Sequence, residues 1–256
     1  MYRHALKFTY CYYKRPKQMH LVKACLILLL ITTHFTHAKT QPIKACIDDH
    51  PPYQILEPSP AGVHIDALRV LATVLNKEIT FVKSPNFARC VAFLESGEVD
   101  VVAGLSPTPP RKQFAFFAPF KTADQLKVIS RKKITITKYE DLYGKIIGVA
   151  RGESYFPRFD KDTSLDKISI QSARVGFSLL LKDRIDILMV SPEKFASLSK
   201  EQDLSALWIS PISLDKTRAK ETSFGFSKKH KLNISNAELI RIVDKAYKAG
   251  AFKSVY

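Results

Sequence analysis

From residue 43 onward, short apolar runs alternate with longer stretches whose apolar residues recur at helical spacing. Residues 43–47 form a brief apolar run that ends at Asp48-Asp49-His50-Pro51-Pro52, a turn cluster. Ile65, Leu68, Leu71, Ala72 and Leu75 then fall on one helical face. A β-branched strand is predicted over 79–82, a helix over 88–95 stopped by Ser96-Gly97, and a buried strand over 99–103 that ends at Gly104. Strand, helix, strand, helix, strand is the rhythm of a parallel sheet covered by helices.

The rhythm breaks over 105–120, which is rich in Pro and Phe, and resumes with a strand candidate at 125–130. Strands are predicted at 145–150, 168–170 and 185–190, and helices at 173–181 and from 192 to 198. A late strand at 222–226 precedes a closing helix over 236–249, with Gly250 placed to end it. Two alternating runs of about ninety residues each predict two α/β lobes, each a mostly parallel sheet flanked by helices. Lobe one is expected at 41–123 plus 227–256 and lobe two at 124–226, with hinge crossings near 121–128 and 220–227. Ligands of open α/β sheets sit beyond the carboxyl ends of strands, so two such ends facing each other make a ligand cleft.

The first 38 residues differ from the rest. The run from Ala24 to Ile31 is too short to span a membrane, which needs about 20 apolar residues, but has the length of a signal-peptide core. Basic residues precede it, and Thr36-His37-Ala38 follows with small residues at the two positions a signal peptidase reads. Cleavage is expected after Ala38, with Met19 as an alternative start, and the mature protein is expected in the periplasm. Residues 1–38 hold 6 of the 40 Lys+Arg and none of the 24 Asp+Glu, so the mature chain carries 34 − 24 = +10. That surface favours anionic ligands. Export argues against nucleic acid as the partner, and Arg131-Lys132-Lys133 and Lys228-Lys229-His230-Lys231 read as solvated faces. Cys46 and Cys90 remain after cleavage, in a compartment that permits a disulfide; two buried free thiols are the alternative. A bridge would stabilise by about 4 kcal/mol through loop entropy.

The segment from Asp100 to Arg111, DVVAGLSPTPPR, is the most informative for chemistry. A buried strand ends, hydroxyls follow, and Arg111 opens the next element. Arginine offers a rigid fork of donors that matches a carboxylate, and hydroxyls and strand-end amides add more. Thr108 reads equally as a helix N-cap. His50 and His64 lack a spaced partner, so no metal site is expected. Phosphate loops, nucleophile elbows and paired-Cys motifs are absent from the sequence, so no cofactor or catalytic residue is expected.

This segment resembles the first-lobe ligand site of the bacterial extracellular solute-binding proteins, family 3, which serve polar amino-acid transporters. The resemblance implies that Ser106, Thr108 and Arg111 bind a ligand carboxylate, although the spacing from Asp100 to Arg111 is one residue tighter than usual. It extends to Asp48-Asp49-His50-Pro51-Pro52-Tyr53, where Tyr53 takes the place of an aromatic that packs on the ligand, and to 62–66, the start of the first helix. Residues 142–149 followed by Arg151-Gly152-Glu153-Ser154 resemble the opening of the second lobe. There Gly152 and Ser154 match positions that receive the carboxylate at a helix N-terminus. One position departs. Where amino-acid binders carry an acid after a late second-lobe strand, this chain has Ser191, with Glu193 two residues on as a first-turn helix residue. An uncharged Ser leaves a desolvated ammonium unpaired, so the carboxylate is argued and the amine is left open.

The resemblance thus implies a two-lobed type II periplasmic binding protein, a monomer, that captures a small carboxylate by lobe closure for a transporter permease. Two alternatives stand beside it. One is a dehydratase-like enzyme on the same fold, with Glu153 or Glu193 as general acid or base. The other is an orphan binder that informs a receptor.

Overall fold

The computed structural model describes residues 41–200, 203–211, 213–214 and 221–255. The expected signal peptide lies outside the described residues. Among the described residues, no helix is long and apolar enough to cross a membrane.

Chain order begins β1 (Ile43–Asp48), α1 (Val63–Val74), β2 (Ile79–Ser84), α2 (Phe87–Ser96), β3 (Val101–Ala103), α3 (Pro109–Phe114) and β4 (Ala115–Thr122). It continues with β5 (Lys127–Arg131), β6 (Ile147–Ala150), α4 (Pro157–Lys161), β7 (Lys167–Ile170), α5 (Ala173–Leu181), β8 (Ile187–Val190), α6 (Pro192–Ser199) and β9 (Leu207–Ile209). It closes with β10 (Glu221–Ser227) and α7 (Asn236–Lys248). Side-chain caps start four of the helices: Asn86, Ser172, Ser191 and Ser235 each accept from the backbone N–H three residues on.

The strands form two five-stranded sheets, ordered β2-β1-β3-β10-β4 and β7-β6-β8-β5-β9. Both are mixed rather than mostly parallel. In each, three strands run parallel and the last two pairings are antiparallel. The chain leaves the first sheet through the connection 123–126, between β4 and β5. It returns before Glu221, because β10 pairs with β3 and β4 in the first sheet. The expected lobe boundary at 226 therefore moves ahead of β10. Residues 215–220 of that return lie outside the described residues.

The period of two along β1 sets the core. Ile43, Ala45 and Ile47 pack with α1 and α7, among Phe120, Phe224, Leu239 and Val243. Cys46 points to the other face, toward α2, and meets Cys90 there in a disulfide with Cα atoms 5.4 Å apart. In the second sheet Ile187 and Met189 face one cluster while Leu188 and Val190 face the other.

The strand β4 was not legible in the sequence. It contains Pro119, and its register against β10 shifts between Thr222 and Ser223. An edge strand tolerates both, since its outer side needs no ladder donor. One basic cluster also gains definition. Lys228 Nζ donates to the carbonyls of Lys112 and Gln113, and Lys229 Nζ to that of Glu95, so both close helix C-termini rather than standing merely in solvent.

Candidate functional site

Arg111 sits in the six-residue α3, behind Pro109 and Pro110 in the first turn. Thr108 is the N-cap by backbone, but its side chain makes no capping bond. The Arg111 guanidinium donates to the Ser106 carbonyl at 3.1 Å and, across the cleft, to the Gly152 carbonyl. Both acceptors are neutral. Burial lowers the pKa of this arginine, while Asp160 and Glu153 oppose the shift from a distance. The result is a partly buried cation with no ion-pair partner among the described residues.

Gly152 is reached through its carbonyl rather than through an amide of a helix N-terminus. The helix that follows, α4, starts only at Pro157. Gly152 has φ +83°, and a Cβ there would sit 2.8 Å from the backbone N and Cα of Ala88 in α2. A side chain is excluded twice, by the left-handed conformation and by the close approach of the two lobes. Ser154 is also partly committed, since its hydroxyl donates to Asp160 at 2.6 Å.

Tyr53 is buried rather than a half-exposed surface aromatic. Its ring stacks on His64 at 4.7 Å, and its hydroxyl lies 2.6 Å from Ser191 Oγ, 2.9 Å from Glu193 and 3.0 Å from Asp124. Burial holds the phenol far above its ordinary pKa, so it stays a neutral donor. Ser191 has a double role: its Oγ accepts from the Lys194 amide as the N-cap of α6 and meets Tyr53 from the other lobe.

Behind these residues lies an ionic layer that the sequence did not announce. Buried Lys194 donates to Glu153 at 2.8 Å, and Glu153 lies 3.5 Å from His50 Nε2 across the cleft. Lys121, also buried, holds both oxygens of Asp124 at 2.9 Å. Asp48 ends β1 with Oδ1 buried and without a hydrogen-bond partner among the described residues. Its carboxyl is pushed up to about 6 by burial and by the Glu153 charge. His50 is held down to about 4 by burial and by Lys194, so it is neutral near pH 7. His64 is also held well below its ordinary pKa, chiefly by burial.

Tyr53, Ser106, Arg111, Ser154 and Ser191 all line one cavity of about 100 Å³ between the sheets. A neighbouring groove of about 1170 Å³ shares Ser106, Arg111 and Ser154 with it and adds Thr108 and Gly152. Each of the seven sequence-derived residues therefore lines one or both of these spaces. Phe120 lies in the core and Phe114, Phe116 and Phe117 pack against it, and none of the four lines either space. Among the cavity-lining residues that sequence reasoning missed are His50, His64, Asp124 and Lys194. Their only local signals were His50 within the turn of Tyr53 and Lys194 three residues after Ser191.

Comparison with known proteins agrees with this architecture. The arginine-binding extracellular protein ArtP of Bacillus subtilis (strain 168) is 30% identical over 140 residues. That match covers 52% of this chain and 54% of ArtP, so the chain spans about half the length of this relative. A crystal structure of the substrate-binding protein of an amino-acid ABC transporter superposes with TM-score 0.66 at 19% identity, over 84% of this chain and 96% of the other. An ancestral arginine-binding protein bound to arginine gives 0.68 at 22% identity, over 86% and 98%. These structural likenesses establish the two-lobed type II fold. The model of the bacterial extracellular solute-binding proteins, family 3, matches residues 43–250, and the chain belongs to that family.

Proposed function

We propose that this protein is a monomeric periplasmic binding protein, exported with its leader removed after Ala38, that captures a small carboxylate-bearing solute. Capture occurs between lobe one (41–122 with 221–256) and lobe two (123–220). The observation that carries the reading is Arg111. It is a partly buried guanidinium at a cavity, bonded among the described residues only to neutral carbonyls. A buried cation in that state gains from a carboxylate that its fork can grip, because a charge-assisted pair is stronger than a bond to a neutral oxygen. Ser106 and Thr108 add hydroxyls to the grip, Tyr53 supplies an aromatic wall, and Gly152, Ser154 and Ser191 complete it from lobe two.

The cross-cleft contacts support a mechanism of hinge closure about 123–126. Arg111 to Gly152, Tyr53 to Ser191 and His50 to Glu153 all link the lobes and all surround the cavity. The closed form would be presented to a membrane partner, a transporter permease or a receptor. The relatives named for arginine agree with a carboxylate ligand, since that solute carries one.

Native mass spectrometry of the purified protein, followed by a thermal-shift panel of carboxylates, identifies the solute. A ligand at 100 times its dissociation constant adds about 2.7 kcal/mol of stability. Arg111→Ala is expected to abolish that gain. Retention of parental affinity by the variant would show that the carboxylate sits elsewhere.

A further inference from the structure

Glu193 is an acid without a cation. Glu153 is held by Lys194, and Asp124 by Lys121 through both oxygens. Glu193, among the described residues, makes no ion pair, and its Oε2 lies 2.9 Å from the hydroxyl of Tyr53 in the opposite lobe. It stands in the first turn of α6, where the helix dipole favours an acid. The dipole accounts for an acid at this position but not for its reach across the cleft to Tyr53.

The hydrogens around Tyr53 are fewer than its contacts. Its oxygen has Ser191 Oγ at 2.6 Å, Glu193 Oε2 at 2.9 Å and Asp124 Oδ2 at 3.0 Å. A phenol carries one hydrogen and a serine hydroxyl one more, while an ionised carboxylate carries none. If Ser191 donates to the phenol, the phenol serves one carboxylate and faces the other with no hydrogen between them. Lys121 already donates to Asp124 Oδ2 at 2.9 Å. Among the described residues Glu193 has no such second donor, so the phenol hydrogen goes to Glu193. A hydroxyl that donates to a carboxylate is polarised by it and becomes a stronger acceptor in turn. Tyr53 and Ser191 both line the cavity that Arg111 lines.

We propose that Glu193, acting through the Tyr53 hydroxyl, supplies the negative charge that holds an ammonium group of the solute. Ser191, beside the same hydroxyl, brings an acceptor but no charge. The solute then meets the protein as a zwitterion, its carboxylate on Arg111 and its ammonium donating to the oxygens of Tyr53 and Ser191. The inference rests on the carboxylate reading of Arg111. An ammonium brings three donors to a place short of hydrogens, and it needs a nearby anion because an unpaired buried charge is costly. Tyr53 belongs to lobe one and Glu193 to lobe two, so the acid stands behind the phenol only when the lobes are together. Recognition of the amine is thereby tied to closure.

A thermal-shift screen of the standard L-amino acids and of their 2-hydroxy analogues, which carry a hydroxyl for the amine, finds the pairs that bind. Titration calorimetry then compares the two members of each pair. The amino member is expected to bind at least about tenfold tighter, from the attraction of a nearby charge in a partly buried site. Glu193→Gln keeps the size and a hydrogen-bond acceptor, and should weaken the amino member at least about tenfold while leaving the hydroxy member within about twofold. A role in folding alone would change both members alike. Ser191→Asp added to Glu193→Gln should restore the preference, since Asp caps a helix as well as Ser does and sets a charge beside the same hydroxyl. A hydroxy member that binds as tightly as its amino acid overturns the inference and leaves the carboxylate reading standing, as does binding of hydroxy members alone. A preference that survives in Glu193→Gln overturns the role of Glu193. Failure of both classes to bind overturns the carboxylate reading and this inference with it. The parental comparison needs no variant, so it stands even if Glu193→Gln does not fold.

Discussion

Asp48→Asn offers a sharp test of the electrostatics under the cleft. Asp48 is 4% exposed at the end of β1, with Oδ1 unpartnered among the described residues. Its carboxyl is raised from 3.8 to about 6, first by burial, then by Glu153; Lys194 opposes and Asp49 adds a smaller repulsion. The sign follows from linkage. The folded state binds this proton more tightly than the unfolded chain, so stability is lost as pH rises from about 4 through 6. Above that window the ionised carboxylate costs the fold about 3 kcal/mol, and at pH 4 only about 0.5 kcal/mol. Asn has a similar shape and no charge, so Asp48→Asn should recover that cost at pH 8 and little of it at pH 4. His50 works in the opposite direction. Held down from 6.5 to about 4, it costs stability as pH falls below about 6.5, and it therefore masks the Asp48 effect in the parent. Comparing variant with parent at each pH removes that background. Urea unfolding at pH 4, 5, 6, 7 and 8 gives the comparison. A stability difference between Asp48→Asn and the parent that stays flat across this range would refute the reasoning.

Other expectations follow from covalent and steric features. Replacing both Cys46 and Cys90 with Ala should cost about 4 kcal/mol in urea unfolding, since the bridge closes a long loop between β1 and α2. A loss below about 1 kcal/mol would show that the unfolded chain is not constrained by it. Gly152→Ala should hold the lobes apart, because its Cβ would meet the Ala88 backbone. Small-angle scattering should then report a larger radius of gyration and calorimetry at least tenfold weaker solute binding. Parental values in both would place the lobe contact outside the binding cycle.

Much of the fold was legible because it is written locally. The helices α1, α5 and α7 announce themselves by apolar spacing, α5 and α7 also by their caps Ser172 and Ser235, and β3 and β8 by unbroken apolar runs. What failed was β4, where Pro119 and a register shift disguise a strand that only its partner β10 makes regular. The placement of β10 failed for a related reason: nothing within Glu221–Ser227 says which sheet it joins.

The site divides in the same way. Ser106, Thr108 and Arg111 could be named in advance because they follow the end of a strand, and Tyr53 and Ser191 because they fall on positions of the family's motifs. The chemistry of strand ends is local: exposed amides, a capping hydroxyl, a side chain at a fixed offset. Sequence alone thus determined that a guanidinium and several hydroxyls would gather at a cleft. Only the tertiary structure decided which charges would be left over there. Lys194 meets Glu153 from 41 residues away, and Gly104 makes room for His64 across two elements. Whether an acid is available to a ligand depends on the cation folded against it, and that pairing is a property of three-dimensional proximity that no spacing along the chain encodes.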